Sequence, residues 1–409
     1  MKKILVSAYA VNPYKGSEDG TGWNIVNQIA QTNKLIVITR ENNEADITKF
    51  ILESGKSHFK NIEFAYFDLP YWMRFWKRGS RGSQLYYLLW QIGLVFFIWR
   101  KKWDFDIAHH LNFHCDWLPS FLWLLGKPFV WGPVGHHPKI PKDFVLNFYG
   151  KKEYFLDRLK WLIKNYFWKV SPFFKTTISK ADAVIGINSS VGNQINLSAQ
   201  KMRVIPAVAS KPVELKRAES DVFNVLAIGR FVPIKGFDVS IRAFAQFYNK
   251  LDEAAKTKVK FTIIGKGPYK NQLKELAKNE GCEQAIDFVE WMPREELKHV
   301  YRTTDLFLFT SHEGAGMVVP EAMSYGIPVL CFDNCGPGEF IDENSGVKIP
   351  YGKYDETVSA FANKLSRAFR DKNWLDKLSQ GAKAEHANSL TWTVKGQQIN
   401  EVYKKVKAA

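Results

Sequence analysis

Short apolar runs alternate along the chain with longer stretches in which apolar residues recur every three or four positions. Runs of four to eight apolar residues are typical of buried strands, and the longer period is typical of helices that bury one face. Such alternation predicts parallel sheets with helices on both faces, because a crossover helix returns the chain to the same end of the sheet. We therefore expect an α/β protein.

The length of 409 residues suits two domains of about 200 residues each. A polar, turn-rich stretch at 207–221 separates the apolar run that ends at Ile205 from the one that begins at Val222. We therefore predict an N-terminal domain at 1–206 and a C-terminal domain at 207–389. A final helix is predicted within 390–409.

A distinctive strand, glycine turn and helix start lie between residues 305 and 330. Pro320 is predicted at the first position of the helix, where its missing N–H costs nothing. Two glutamates, Glu313 and Glu321, stand on either side of the turn. Free N–H groups at a helix start favour an anion, and glycines let the backbone approach it. This segment predicts a phosphate site.

A basic segment follows an earlier strand. The apolar run 225–228 ends in Gly229 and Arg230, and Lys235 precedes an amphipathic stretch at 239–248. Arginine offers a planar fork of donors and lysine a mobile point charge, a combination that suits a diphosphate. Either residue alone in a basic protein is usually a solvated charge.

These segments resemble the retaining glycosyltransferases of family 4, whose signature is two glutamates separated by seven residues within a strand, glycine loop and helix. In that family the first glutamate meets hydroxyls of the donor sugar and the second holds the ribose, roles that fall on Glu313 and Glu321. The resemblance assigns the donor pyrophosphate to Arg230 and Lys235. It also implies the GT-B fold: two Rossmann-like domains facing across a cleft, with the last helix crossing back to the N-terminal domain.

Further donor contacts follow from the same resemblance. Glycines end the strand at 261–264, the segment 287–297 matches the one whose backbone brackets the nucleobase, and a glycine-rich loop at 13–23 precedes a helix predicted to begin near Trp23. The family usually has an aromatic residue where Ala315 stands. The positions carried over as donor-binding are Gly16, Gly229, Gly265, Gly267, Trp291, Met292, Gly314, Gly316, Met317, Val318 and Glu321.

Five of the nine histidines lie in two loops, 109–114 and 136–137, that end predicted strands. Ligands bind at the carboxyl ends of strands in open α/β sheets. Family enzymes often present a histidine from this region to the donor sugar, and we rank His110 first as a catalytic residue, then His136 and His114. The family generally needs no divalent metal, so we expect no metal and no cofactor, with the nucleotide sugar as substrate. The four cysteines fit no zinc pattern and suggest reduced thiols.

The positive charge is concentrated in the N-terminal half. Residues 1–200 hold 26 Lys and Arg against 15 Asp and Glu, and eleven of the fourteen tryptophans. Two segments, 85–102 and 154–169, combine basic and aromatic residues but are too short or too charged to span a bilayer. They predict peripheral binding to an anionic membrane. The plainer alternatives are a buried core helix for 85–102 and a surface helix for 154–169. No nucleic-acid motif accompanies the charge, so we expect no nucleic-acid partner.

Together these patterns predict a retaining glycosyltransferase that moves a sugar from a UDP- or GDP-linked donor. The acceptor would be a saccharide or a lipid-linked saccharide in bacterial polysaccharide, O-antigen or glycolipid assembly. We expect a cytoplasmic protein that binds peripherally to the inner membrane face. Two alternatives remain: a nucleotide-sugar epimerase of the same fold, and a non-catalytic protein that binds sugar nucleotides or membranes.

Overall fold

The computed structural model describes residues 1–79, 81–198, 200–214, 218 and 220–406. These residues form an α/β structure in which all the strands pair in parallel within two sheets. The predicted fold class, two Rossmann-like α/β domains, is confirmed. The strands are β1 (Lys3–Ala8), β2 (Lys34–Thr39), β3 (Ile62–Tyr66), β4 (Ile107–Asn112), β5 (Phe129–Val134), β6 (Ala183–Gly186), β7 (Met202–Val204), β8 (Phe223–Ile228), β9 (Val259–Ile264), β10 (Ile286–Val289), β11 (Leu306–Phe309), β12 (Val329–Phe332) and β13 (Gly346–Ile349).

Helices connect these strands and cover the sheets. In chain order they are α1 (Ser17–Ile29), α2 (Glu44–Ser54), α3 (Tyr71–Arg74), α4 (Ser83–Lys101), α5 (Lys142–Lys169), α6 (Pro172–Lys180), α7 (Ser190–Ile195), α8 (Phe237–Tyr248), α9 (Glu253–Lys256), α10 (Lys270–Asn279), α11 (Arg294–Thr303), α12 (Val318–Ser324), α13 (Pro337–Phe340), α14 (Tyr354–Arg370), α15 (Lys372–Ser389) and α16 (Trp392–Lys405). Within the described ranges, none of these helices has the length and apolar character needed to cross a membrane.

The chain divides into two compact units. The first unit comprises residues 1–136, 161–207 and 392–409, and the second comprises 137–160 and 208–391. The division predicted from the sequence differs over residues 137–160, which were assigned to the N-terminal domain. These residues cluster with the second unit because Phe144 and Tyr149 are buried in its hydrophobic core. A sequence pattern cannot show which of two cores receives an apolar side chain.

The first unit contains a seven-stranded sheet of order β3-β2-β1-β4-β5-β6-β7. The chain winds outward from β1 in one direction and from β4 in the other, so the loops after these two strands diverge. This divergence is the topological switch point at which open α/β sheets bind ligands. The final helix, α16, packs on α1, where a Cβ atom on Gly396 would come within 2.5 Å of the Gln28 side chain.

The second unit repeats this arrangement with six strands in the order β10-β9-β8-β11-β12-β13. Its switch point lies between β8 and β11. Asp238, at the start of α8, is buried beneath the sheet, and its two carboxylate oxygens accept hydrogen bonds from Tyr149 and Tyr354 at 2.9 and 2.7 Å. Buried carboxylates need such partners, because an unpaired charge in the core costs several kcal/mol.

The helix predicted to begin near Trp23 begins instead at Ser17. Gly20 and Gly22 therefore lie inside α1, against the backbone of the preceding loop. A Cβ atom on Gly22 would stand 2.2 Å from the Ala10 carbonyl oxygen, so a glycine is needed there for close packing. The sequence pattern predicted that these glycines lie in a loop. They are also required in a helix that packs closely against the loop that precedes it.

Candidate functional site

The candidate site of the second unit is built from the loops that follow β8 and β11, on either side of the switch point. The first loop carries Gly229, Arg230 and Lys235, and the second carries Glu313. The Thr310 hydroxyl, which donates to the carbonyl of Gly236 at 2.7 Å, ties the two loops together. Because this link is buried, it fixes the spacing between the loops before any ligand binds.

Lys235 and Glu313, predicted to serve the diphosphate and the sugar respectively, contact each other. The Lys235 ammonium donates to Glu313 Oε1 at 2.5 Å, and the two side chains are only 15% and 21% exposed. The ammonium also lies 5.6 Å from the centre of the Phe309 ring. A partly buried charge pair of this kind is screened less than a surface pair. A diphosphate would therefore meet a lysine that already has a carboxylate partner.

Glycines allow the loops of this site to lie against one another. A Cβ atom on Gly265, which follows β9, would stand 1.8 Å from the Gly229 carbonyl oxygen, and one on Gly267 would stand 2.5 Å from that of Phe231. Gly236 has φ of +60°, and a Cβ atom there would reach within 2.1 Å of the Thr310 carbonyl oxygen. These positions form a tightly packed rim that only glycine permits.

Three polar residues that the sequence analysis did not single out hold the Glu313 loop in place. The Ser311 hydroxyl donates to the Ile234 carbonyl at 3.1 Å, and the Asn334 amide donates to the Ser311 carbonyl at 3.0 Å. His312 stacks on Phe332, and its Nδ1 pairs with the Tyr351 hydroxyl at 2.8 Å. Burial lowers the pKa of His312 to about 3, so its ring is neutral. A polar run directly before Glu313 was the only sequence signal for these roles.

Glu321 lies in the first turn of α12, exposed to solvent. The Tyr301 hydroxyl donates to its Oε2 at 3.2 Å, and burial together with this carboxylate raises the pKa of Tyr301. Pro320 is the third residue of α12 and not the first, because the helix begins at Val318. The missing N–H of Pro320 still falls among the first four, which have no partner within the helix.

The remaining predicted donor contacts of the second unit are found near these loops or on the exposed surface. Gly316, two residues before α12, has φ of +83°, a conformation that favours glycine. Trp291 and Arg230 are exposed, and Met292 packs against the apolar cluster of α12 and β11. Gly314 and Met317 lie in the turn between β11 and α12, and Val318 is the first residue of α12.

His110, ranked first among the histidines, lies buried on β4 in the first unit. Its Nε2 pairs with the Tyr87 hydroxyl at 2.8 Å and its Nδ1 with the Ser120 hydroxyl at 3.0 Å. Burial lowers the pKa of His110 to about 3. With both ring nitrogens engaged, His110 in this conformation holds the end of β4 and offers no nitrogen to a ligand.

The other two ranked histidines follow β4 and β5. His136 Nδ1 pairs with Asp116 Oδ2 at 2.6 Å, and its ring contacts Trp161 and Trp168. His114 differs, because its Nε2 is buried and has no hydrogen-bond partner. Gly16, the predicted donor contact of this unit, is the exposed residue before α1.

The His and Asp side chains of the first unit form no metal-binding cluster among the residues that the structure describes. Over the described ranges, no group of three or more His, Cys, Asp or Glu side chains is arranged to hold a metal ion. Asp106, the residue before β4, accepts the backbone N–H of Lys3 at 2.8 Å and so fixes the start of β1. This contact explains the aspartate without a metal.

Comparison with known families connects the second unit to a group of enzymes. Residues 214–385 match the model of the family described as glycosyl transferases group 1. The chain carries a glycosyl transferases group 1 domain. This domain contains Arg230, Lys235, Glu313 and Glu321, and so covers the candidate site of the second unit. The finer assignment to family 4 remains a prediction.

A curated relative supports this assignment over the same part of the chain. The GDP-mannose-dependent alpha-(1-6)-phosphatidylinositol monomannoside mannosyltransferase of Mycolicibacterium smegmatis is 25% identical over 189 residues, 44% of this chain and 47% of that protein. The chain thus spans less than half the length of the curated relatives it matches first.

Solved structures match over nearly the whole chain. A sucrose-phosphate synthase from Thermosynechococcus elongatus has a TM-score of 0.68 at 16% identity and covers 99% of both chains. Anabaena HepE, solved with UDP and glucose, has a TM-score of 0.60 at 18% identity, with 99% of this chain and 100% of that chain covered. At such low identity the likeness shows the fold alone. The group 1 domain thus belongs to a chain with the predicted GT-B fold.

Proposed function

We propose that this protein is a retaining glycosyltransferase that moves a sugar from a nucleotide-diphosphate donor to a saccharide or lipid-linked saccharide. The UDP- and GDP-linked sugars are the donors to test first, because the mannosyltransferase relative uses GDP-mannose by name and the HepE structure holds UDP. Assembly of a bacterial polysaccharide, O-antigen or glycolipid is the proposed setting.

One observation supports this function above the others. Arg230 and Lys235 follow β8 and Glu313 follows β11, two strands that are neighbours in the sheet but far apart in sequence, and Lys235 and Glu313 meet at its switch point. Two cations beside a carboxylate provide donors for a diphosphate and an acceptor for sugar hydroxyls. An exposed Arg230 is free to turn its planar fork toward a ligand, whereas the partly buried Lys235 is held in place.

The proposed chemistry relies on stabilising the departing diphosphate. Negative charge grows on the phosphate oxygens as the bond to the sugar breaks, and fixed cations lower the energy of that state more than they stabilise bound donor. Arg230 and Lys235 would supply these cations. Glu313, whose loop is held by the hydrogen bonds of Ser311 and Asn334, would orient the sugar through its hydroxyls.

A panel of nucleotides and nucleotide sugars tests the proposal directly. Thermal-shift measurements with UDP, GDP and their glucose and mannose conjugates should show stabilisation by one base series, since a ligand that binds only the folded state raises its melting temperature. The selected donor is then incubated with and without glycoside acceptors and the product linkage is determined. Interconversion of the donor sugar without an acceptor would identify an epimerase. Binding with no turnover under any condition would identify a non-catalytic protein.

We also propose that the first unit binds an anionic membrane surface. An apolar stripe on α4, formed by Leu85, Ile92, Phe96 and Trp99, is exposed, while the opposite face is buried. These positions are three, four or seven residues apart and therefore share one helix face. Tyr71, Trp72 and Phe75 around α3 are exposed as well, as are Leu162 and Tyr166 of α5. An exposed apolar surface of this extent beside basic residues is typical of peripheral membrane binding.

Vesicle co-sedimentation tests this surface. The double variant Lys164→Glu/Lys169→Glu should leave vesicles that contain anionic lipid at moderate salt, because each basic residue near such a surface contributes about 1 kcal/mol. The matched control changes two exposed lysines of the second unit, Lys353 and Lys372, to glutamate. Equal release of both variants would show that net charge alone, and not the position of the lysines, accounts for the effect. Failure of the wild type to bind anionic vesicles at low salt would refute the proposal.

A further inference from the structure

A groove of about 540 Å³ lies along α4, beside the edge of the first unit's sheet. Its lining comes from α4 and from Phe67, which directly follows the edge strand β3. Pockets for small ligands commonly measure about 300–1,000 Å³. Because β2 and β1 stand between β3 and β4, the groove is separate from the switch point of this sheet, which lies between β1 and β4.

The helical part of the groove is one face of α4. Gly93, Phe96, Phe97, Arg100 and Lys101 line it, and the last four follow the glycine by three, four, seven and eight positions. Residues at these spacings share one face of a helix. The face therefore changes from aromatic to basic as α4 approaches its C-terminal end.

Packing fixes the aromatic walls of the groove. The rings of Phe67 and Phe97 stack with their centres 4.9 Å apart. A Cβ atom on Gly93 would stand 2.7 Å from the Leu69 side chain and 3.1 Å from the Phe67 ring, so glycine lets the segment after β3 lie against the helix. The indole N–H of Trp90 donates to the Phe67 carbonyl at 2.8 Å. The groove is thus built before a ligand binds.

Positive charge lies at one end of the groove, in the last turn of α4. Arg100 and Lys101 are exposed there, and none of the described residues that line the groove is acidic. The Lys101 ammonium lies 5.6 Å from the centre of the Phe97 ring, next to the aromatic walls. Across the described ranges, neither cation forms an ion pair with a carboxylate. A ligand that matches this groove has an apolar chain that ends in an anionic group.

We propose that this groove binds a single phospholipid of the membrane, with an acyl chain between the aromatic walls and the phosphate on Arg100 and Lys101. The planar fork of arginine and the point charge of lysine both suit a phosphate. Phe96, which is 58% exposed, belongs both to the groove and to the exposed apolar stripe of α4. A bilayer would cover that stripe, whereas a water-soluble peptide in the groove would leave it in water. The proposal deepens the membrane binding proposed above and rests on it for the source of the lipid.

Soluble alkyl phosphates test the groove without a membrane. Hexyl, octyl and decyl phosphate are titrated into the full chain by calorimetry, below the concentrations at which they form micelles. The affinity of the wild type should rise about fourfold for each added methylene that enters the groove, because its apolar surface leaves water. Decyltrimethylammonium has the same chain with a cationic head and should not bind.

Variants of exposed residues locate the phosphate. Arg100→Gln/Lys101→Gln should lower the affinity for decyl phosphate at least about tenfold, because hydrogen bonds to charged groups are lost. The control Lys175→Gln/Lys180→Gln removes two exposed lysines of α6 and should leave the affinity unchanged. Because all four side chains lie at the surface, we expect both variants to fold.

A second pair of variants locates the chain. Phe96→Ala should reduce the gain in affinity per methylene, since part of the apolar wall is removed. The control Phe173→Ala alters a side chain of similar exposure, 54%, on α6 and should keep the wild-type gain. The same gain in both variants would overturn the placement of the chain.

The outcomes also separate the groove from the proposed membrane surface. Affinity that does not depend on chain length, equal binding of decyltrimethylammonium, or unchanged affinity in Arg100→Gln/Lys101→Gln would overturn the proposal. Displacement of decyl phosphate by a tetraglutamate peptide would show that the groove takes an acidic peptide and that the lipid assignment is wrong. If alkyl phosphates bind as expected but the wild type does not bind anionic vesicles, the groove stands and the proposed membrane surface fails. If the wild type binds vesicles but no alkyl phosphate, the surface stands and the groove is refuted.

Discussion

Replacing Glu313 by glutamine tests how the contact with Lys235 shapes the site. Glutamine keeps the size of the side chain and an oxygen acceptor but removes the charge. A hydrogen bond to a charged group contributes about 1.5–3 kcal/mol, and a neutral one about 0.5–1.5 kcal/mol. The side chains of the pair are 15% and 21% exposed, so solvent screens their interaction only in part. We therefore expect the free energy of unfolding to fall by about 1–2 kcal/mol.

The same change should strengthen the binding of free UDP or GDP. In the wild type a diphosphate must compete with Glu313 for the Lys235 ammonium, and Glu313→Gln weakens that competition. The gain in binding free energy cannot exceed the roughly 1–2 kcal/mol of interaction between Glu313 and Lys235 that the variant loses. This limit corresponds to an increase in affinity of roughly 5- to 30-fold. Sugar transfer should fall at least about 100-fold, because the carboxylate that orients the sugar is gone.

Three measurements on the same variant decide the matter. Thermal unfolding should show a melting temperature lower by roughly 2 to 8 °C, since a domain of about 200 residues shifts by about 2–4 °C per kcal/mol. Calorimetry at low salt gives the nucleotide affinity, and a transfer assay gives the rate. The control Glu253→Gln breaks an exposed ion pair with Lys256 and should change none of the three. Weaker nucleotide binding by Glu313→Gln would refute the reasoning.

Other variants probe the remaining residues. Arg230→Ala should cost about 2–4 kcal/mol of transition-state stabilisation without lowering the melting temperature, and near-normal kcat/KM would remove the arginine from the site. Glu321→Gln should weaken nucleotide binding measured by calorimetry, because a neutral amide pairs less well with ribose hydroxyls; unchanged affinity would contradict the ribose assignment. Asp238→Asn should lower the free energy of unfolding by about 2–4 kcal/mol in denaturant titrations, since an amide cannot accept from both Tyr149 and Tyr354. Because burial raises the pKa of Glu18 to about 7, the protonated carboxyl favours the folded state at low pH, and this contribution to stability is lost as pH rises through about 7. Glu18→Gln should therefore gain stability over the wild type between about pH 5 and 8. The expected gain is about 1–2 kcal/mol, because about a third of the side chain is exposed and solvent screens the effect.

The sequence by itself determined the local elements of the second unit and the kinds of residue at their ends. A strand was predicted at 305–309, where β11 lies, and glycines followed by charged residues marked the turns after β8 and β11. These features are local, because strand length, turn chemistry and helix starts are set by neighbouring residues. They were sufficient to predict the fold class and the domain that the family match contains.

Only the tertiary structure decided which of these residues meet. Lys235 and Glu313 are 78 positions apart and touch because β8 and β11 are neighbours in the sheet, an order that no local pattern encodes. Likewise, His110 was ranked ahead of His114 among the histidines at a strand end. The fold surrounds the first with partners for both ring nitrogens and leaves the second with a buried nitrogen unpaired. Long-range packing sets burial and hydrogen bonding, and these determine whether a polar side chain supports the fold or remains available to a ligand.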